Sequence, residues 1–222
     1  MFNIDIAEFL RYFLIIVIAI TIHEFSHALA ATWLGDDTPG YQGRLTLSPL
    51  AHLDPLGTLM LIMSSISGIG IGLGRPVQVN PARLRFGPAV GMGIVAAAGP
   101  ISNFLLALVC AFGYLLVKLP LRAMTPVWAE LFLSMIAINL GLAIFNLIPV
   151  FPLDGFSIAL AGLRLVRGRT AFLIAERLRA TATYGPMLFL ALLVIDSFLP
   201  VSIIGLVIGV PVRTVLTLLA LV

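Results

Sequence analysis

Charge is the scarcest property of this sequence. Only 10% of its 222 residues are Asp, Glu, Lys or Arg, while 60% are hydrophobic. A soluble domain has about 25% charged and about 45–50% apolar residues. With a mean hydropathy of +1.13, the chain lacks the polar surface that water requires. A soluble globular protein is excluded, and an integral membrane protein is predicted. Cysteine is equally sparse: the single Cys110 rules out an intrachain disulfide and a disulfide-rich secreted fold. The net charge of +3 is small and its basic residues cluster in a few loops, so they read as membrane-orientation signals. No nucleic-acid partner is expected. A basic leader is also missing, because the first eight residues hold Asp5 and Glu8, and no cleavable signal peptide is expected. No repeat, low-complexity tract or loop long enough for a separate module is present. Residues 1–222 read as one integral membrane domain.

Long apolar runs fill the rest. A membrane helix needs about 20 apolar residues at about 1.5 Å each. Five stretches meet or approach that length: Phe9–Leu34, Ala89–Leu119, Ala129–Val150, Tyr184–Leu199 and Val201–Val222. A sixth, Leu56–Gly74, contains five glycines, four of them in the closing GIGIGLG. Glycine weakens a helix by about 1 kcal/mol per residue, so its second half is a poor helix. Residues 41–48, YQGRLTLS, alternate β-favouring and polar side chains and predict a small membrane-surface hairpin. The expected fold is an all-α polytopic membrane protein of five or six segments, with a β-hairpin or re-entrant element after the first helix.

Residues 23–27 read His23-Glu24-Phe25-Ser26-His27, an H-E-x-x-H inside an apolar helix. Positions i and i+4 lie about 40° apart around a helix, so both imidazoles reach one metal ion. Glu24 stands beside them, placed to take a proton from the attacking water. Each ionisable group deep in a bilayer costs roughly 2.5–3.5 kcal/mol to insert. Three within five residues of an apolar span call for a metal site rather than packing. A catalytic zinc usually takes three protein ligands. The candidates for the third are His52, Asp36, Asp37, Asp54, Asp154 and Asp196. Asp154 follows a span broken by Pro149 and Pro152, and Gly155 beside it permits a tight turn. A carboxylate on such a broken helix can face a buried polar site, or it can cap the next helix. His52 and Asp54 lie in a polar loop.

These residues resemble the site-2 protease family of intramembrane zinc metalloproteases, and the likeness covers most of the chain. H-E-F-S-H (23–27) is similar to the family's first zinc motif. N-L-I-P-V-F-P-L-D-G (146–155) is similar to its second, whose aspartate is the third ligand. Gly99-Pro100-Ile101-Ser102-Asn103 resembles the segment between them. G-R-L-T-L-S-P-L-A-H-L-D-P-L-G-T (43–58) and R-P-V-Q-V-N-P (75–81) resemble the short bacterial branch. Only 42 residues separate Asn103 from Asn146, so no PDZ insertion is expected, and with Val222 inside an apolar stretch no C-terminal CBS pair is expected either.

The resemblance implies Zn²⁺ held by His23, His27 and Asp154, and hydrolysis of peptide bonds in a transmembrane protein or peptide substrate within the lipid bilayer. Glu24 is then the general base. Asn103 is expected to donate a hydrogen bond to the developing oxyanion, its plainer role being an interhelical hydrogen bond. One zinc joins His27 to Asp154 only if both helix ends point to the same side. Arginine-rich loops 74–88 and 155–183 assign that side to the cytoplasm, in a multi-pass protein of the inner membrane. Loop 35–55 is then cytoplasmic, and 56–74 enters and leaves on one side. Two other readings use the same residues. A non-catalytic membrane protein with this fold would bind peptide or metal, yet the intact Glu24 speaks for chemistry. A metal transporter would need ligands stepping across the bilayer, whereas here they gather at one depth. Asp196 and Arg213 are expected near a helix end and snorkelling, or else facing the cleft.

Overall fold

Inside a bilayer every backbone N–H and C=O must be satisfied within the protein, and a helix does this within one segment. The apolar runs fold accordingly. A computed structural model describes residues 6–54, 74–121, 126–166 and 168–221. In chain order they form α1 (Ile6–Trp33), the short α2 (Thr38–Tyr41) and α3 (Pro49–His52), a 3₁₀ turn at Pro81–Arg83, then α4 (Pro88–Leu121) and α5 (Pro126–Asn146). There follow α6 (Asp154–Leu165), α7 (Arg169–Thr181), a 3₁₀ turn at Ala182–Tyr184, α8 (Gly185–Phe198) and α9 (Ile203–Leu221).

Among the described residues, four helical stretches are long and apolar enough to cross a membrane: Ile6–Trp33, Pro88–Lys118, Pro126–Asn146 and Arg169–Phe198. Ile203–Leu219 is a shorter apolar helix. The protein is thus an all-α, multi-pass membrane protein. The run expected to reach Val150 stops as a helix at Asn146, before the two prolines.

Helix α4 is the hub and packs against α1, α5 and α6. With α5 and α9 it forms a core of Ala107, Cys110, Ile136, Leu140 and Val212. Against α6 it comes very close, since a Cβ added at Gly93 would lie 2.2 Å from the Ala161 Cβ. Small residues permit such approach between membrane helices. At the end of α1 remote from the metal motif, Arg11 pairs with Glu130 of α5 at 2.5 Å. Asp196 caps the start of α9, accepting from the Ser202 hydroxyl and the Ile203 and Ile204 amides. That is the helix-end role expected of it, and Arg213 is exposed.

The loops after α1 and before α4 are stitched into one platform. Asp36, fully buried, accepts from the Thr38 amide and hydroxyl and from the Asn80 amide at 2.6 Å. Burial pushes the Asp36 carboxyl up, but these donors outweigh it and hold it below its usual range. The Arg85 amide donates to Leu34 at 2.8 Å, and Gln42 bonds Gln78. Leu53 and Gly74 form an antiparallel bridge. Leu53 and Gly74, which flank residues 55–73, are therefore neighbours, while the expectation that 56–74 enters and leaves on one side falls on that run, which lies outside the described residues.

The hairpin expected over 41–48 is not formed, since among the described residues this segment holds no strand. The Arg44 amide turns back to the Pro39 carbonyl, and Gly43 takes φ 66°. The alternation is nonetheless real, with inverted faces. Arg44 is buried while Leu45 and Leu47 are exposed.

Candidate metal centre

His23 and His27 lie two-thirds of the way along α1, one turn apart, with their rings edge-to-face at 4.6 Å. Both are buried. Helical spacing alone gives them a common face, and α4 fixes their rotation. His23 Nδ1 lies 2.6 Å from Asn103 Oδ1. His27 Nδ1 lies 2.8 Å from the Val95 carbonyl. A carbonyl only accepts, so His27 donates its Nδ1–H. The Asn103 amide is oriented by the same logic. Its Nδ2 donates to the Ala19 carbonyl at 3.1 Å and to Asn139 Oδ1 at 2.8 Å, which leaves Oδ1 to accept from His23. Asn139 in turn is fixed by donating to the Met135 carbonyl. Both imidazoles are thereby held with a bare Nε2 directed away from α4's anchoring groups.

Gly99 makes this approach possible. A helical side chain lies over the turn before it, so a residue at 99 would cover the Val95 carbonyl. A Cβ there would sit 2.6 Å from His23 Cε1 and Nε2 and from His27 Cε1. Those are distances that atoms do not tolerate.

Asp154 arrives from the break after α5. The chain turns through Leu147–Leu153, with a cis peptide at Phe151–Pro152. Gly155 lets α6 start against α5's end, since a Cβ there would meet the Leu147 carbonyl oxygen at 2.2 Å. Asp154 is the first residue of α6 and does not cap it; the N-cap is Leu153. Its Oδ2 instead lies 3.1 Å from His23 Nε2 and 3.4 Å from His27 Nε2. The ligand atoms of all three residues lie within 4.8 Å of one another.

Two bare imidazole nitrogens facing a carboxylate are three acceptors without a donor, and Asp154 Oδ2 has no hydrogen-bond partner. Such a cluster calls for a cation. Ligands at about 2.0–2.2 Å around tetrahedral zinc sit roughly 3.3 Å apart, which the Nε2–Oδ2 separations match. The donor set fits a catalytic zinc. Glu24 borders the site, and its Oε2 is buried without a partner.

The other candidates lie elsewhere. His52 is fully buried, with Nε2 2.7 Å from the Thr46 carbonyl, and does not join the cluster. Asp36 is committed to the platform and Asp196 to α9. Asn103, expected to donate to an oxyanion, has both amide hydrogens engaged and touches His23 from behind. Asn146 bonds its own helix at the Leu142 carbonyl. Sequence reasoning missed Asn139, Val95 and the role of Gly99 as a seat for the imidazoles. The only available signal was the spacing of Gly99 and Asn103 along one face of α4.

Comparison with known proteins identifies metallopeptidase relatives. The sequence model of Peptidase family M50 matches residues 119–193. "Putative zinc metalloprotease YwhC" of Bacillus subtilis is 34% identical over 183 residues, covering 81% of this chain and 78% of that protein. "Putative zinc metalloprotease Rip2" of Mycobacterium tuberculosis is 33% identical over 143 residues, covering 64% of this chain and 52% of that protein. The protein of the same name from Mycolicibacterium smegmatis is 32% identical over 144 residues, with 63% and 52% covered. The chain thus matches about half the length of the Rip2 proteins. No solved structure matches it.

Proposed function

The chain belongs to peptidase family M50, and from that premise we propose that it is an intramembrane zinc endopeptidase cleaving transmembrane protein or peptide substrates. The observation that carries this reading is the meeting of His23, His27 and Asp154 with unpartnered acceptor atoms, beside an unpartnered Glu24. A zinc ion bound there supplies Lewis-acid polarisation of the scissile carbonyl and acidifies a water. The chain's own residues do the rest. Glu24 takes the proton of the attacking water and passes it to the leaving amine. Asn103, braced by Asn139, and the Val95 carbonyl hold the two imidazoles in the tautomer that presents Nε2. Asn103 is thus a positioning residue rather than an oxyanion donor.

A helical substrate hides its peptide bonds and must extend before attack. Residues 75–80, which form neither helix nor strand, start at Gly74 beside Glu24, and their backbone is the edge this reading assigns to an unwound substrate for strand pairing. They take the role the sequence assigned to 41–48. The arginines of 74–88 and of 155–183, the latter run helical over most of its length, support a reading in which this end of the bundle faces the cytoplasm at the inner membrane.

Glu24→Gln tests the reading. With a transmembrane peptide substrate in detergent, the variant should retain zinc and lose activity by about 10³-fold or more, a general base being worth about 10²–10⁴. Zinc retention with unchanged cleavage would remove Glu24 from the chemistry. A wild-type chain that holds zinc and cleaves no peptide would favour a non-catalytic binding protein.

A further inference from the structure

Beyond the metal ligands and their supports, one buried cation is placed to act on the site. Arg44 is 5% exposed although it lies in the loop between α2 and α3. Taking a guanidinium out of water is costly unless its donors are met, and here they go to backbone carbonyls. Its Nη1 donates to the Ala51 carbonyl and reaches the Arg75 carbonyl at 3.4 Å. Its own amide bonds Pro39. One side chain therefore spans the two strands of chain that meet at the Leu53–Gly74 bridge. The Arg75 amide completes the junction by donating to the His52 carbonyl at 2.8 Å.

The junction abuts the base. A Cβ at Gly74 would lie 3.1 Å from Glu24 Oε1 and 2.9 Å from Ile20 Cγ2. Gly74 is thus the wall of the site next to Glu24, and Arg75 starts the irregular, partly exposed segment that follows. Burial and then Arg75 pull the Arg44 guanidinium below its usual range, while the Glu24 carboxylate opposes them.

We propose that Arg44 is a positioning residue that clamps the start of segment 74–80 against Glu24, fixing the backbone edge along which substrate lies. This rests on the peptidase reading for its purpose but not for its geometry. Because a single nitrogen serves both carbonyls, a lysine preserves part of the clamp and a glutamine does not.

The test uses the full chain purified in detergent, as Arg44→Gln, Arg44→Lys and Gly74→Ala. Three quantities are read: zinc content, hydrogen exchange of the peptide covering 74–80, and kcat and KM on a transmembrane peptide. Arg44→Gln should keep its zinc and speed exchange at 74–80. Its kcat/KM should fall by about 10- to 100-fold, the range for losing a charge-assisted hydrogen bond, mainly through KM. Arg44→Lys should recover most of both effects. Gly74→Ala, which displaces the same wall without touching Arg44, should raise KM with zinc unchanged. Normal exchange and normal KM in Arg44→Gln overturn the clamp. So does loss of zinc in both Arg44 variants, which makes Arg44 a determinant of the whole fold. A wild type without cleavage fails the peptidase reading instead, and the exchange measurement still decides the clamp.

Discussion

The two sides of Glu24 are built differently. Toward the bundle interior, the two imidazoles are pinned by α4 at Asn103 and Val95, and Asn139 braces Asn103. Both imidazole Nδ1 atoms and both amides there are engaged, and each amide has one orientation that satisfies its partners. Toward the platform, the wall at Gly74 is held by a bridge, one backbone hydrogen bond and a buried Arg44. A metal ligand must be fixed to within a few tenths of an ångström, and side chains on long helices achieve this. A substrate edge must admit a chain of varying sequence, and backbone groups on a loop do so.

This contrast makes separable predictions, beginning with the strongest. Gly99→Ala drives a methyl group into both imidazoles. It should weaken zinc binding by about 100-fold or more, beyond the usual cost of losing an outer support, yet leave hydrogen exchange at 74–80 unchanged. Asn103→Leu removes the His23 anchor and should cost about 10- to 100-fold in zinc affinity. Asn139→Leu loosens only the brace and should cost less, about tenfold or under. Metal competition titrations read all three. If these interior variants loosened the 74–80 segment as much as Arg44→Gln does, the two sides would be one unit and the contrast would fail.

Much of this was legible in the sequence. H-E-x-x-H on an apolar helix brings two imidazoles to one face by spacing alone. Asp154 stood out because two prolines stop α5 just before it and Gly155 allows the return. Other features depend on which helix packs where. Nothing local to Val95 shows that its carbonyl faces a histidine. Asn139 lies in an apolar run where an interhelical hydrogen bond is the ordinary reading, and its partner comes from 36 residues away. The 41–48 segment misled because alternation was taken to mean a hairpin strand. The loop instead turns Arg44 in and Leu45 and Leu47 out, and nothing local to Arg44 shows that its donors meet backbone carbonyls.

The central claim is a three-ligand zinc site. The most direct measurement is zinc content of the detergent-purified chain under metal-replete conditions, beside His23→Ala and Asp154→Asn. The account predicts about one zinc per chain in the wild type, lost or strongly weakened in both variants. A wild type without zinc, or an Asp154→Asn variant that binds it as tightly as the wild type, would contradict it.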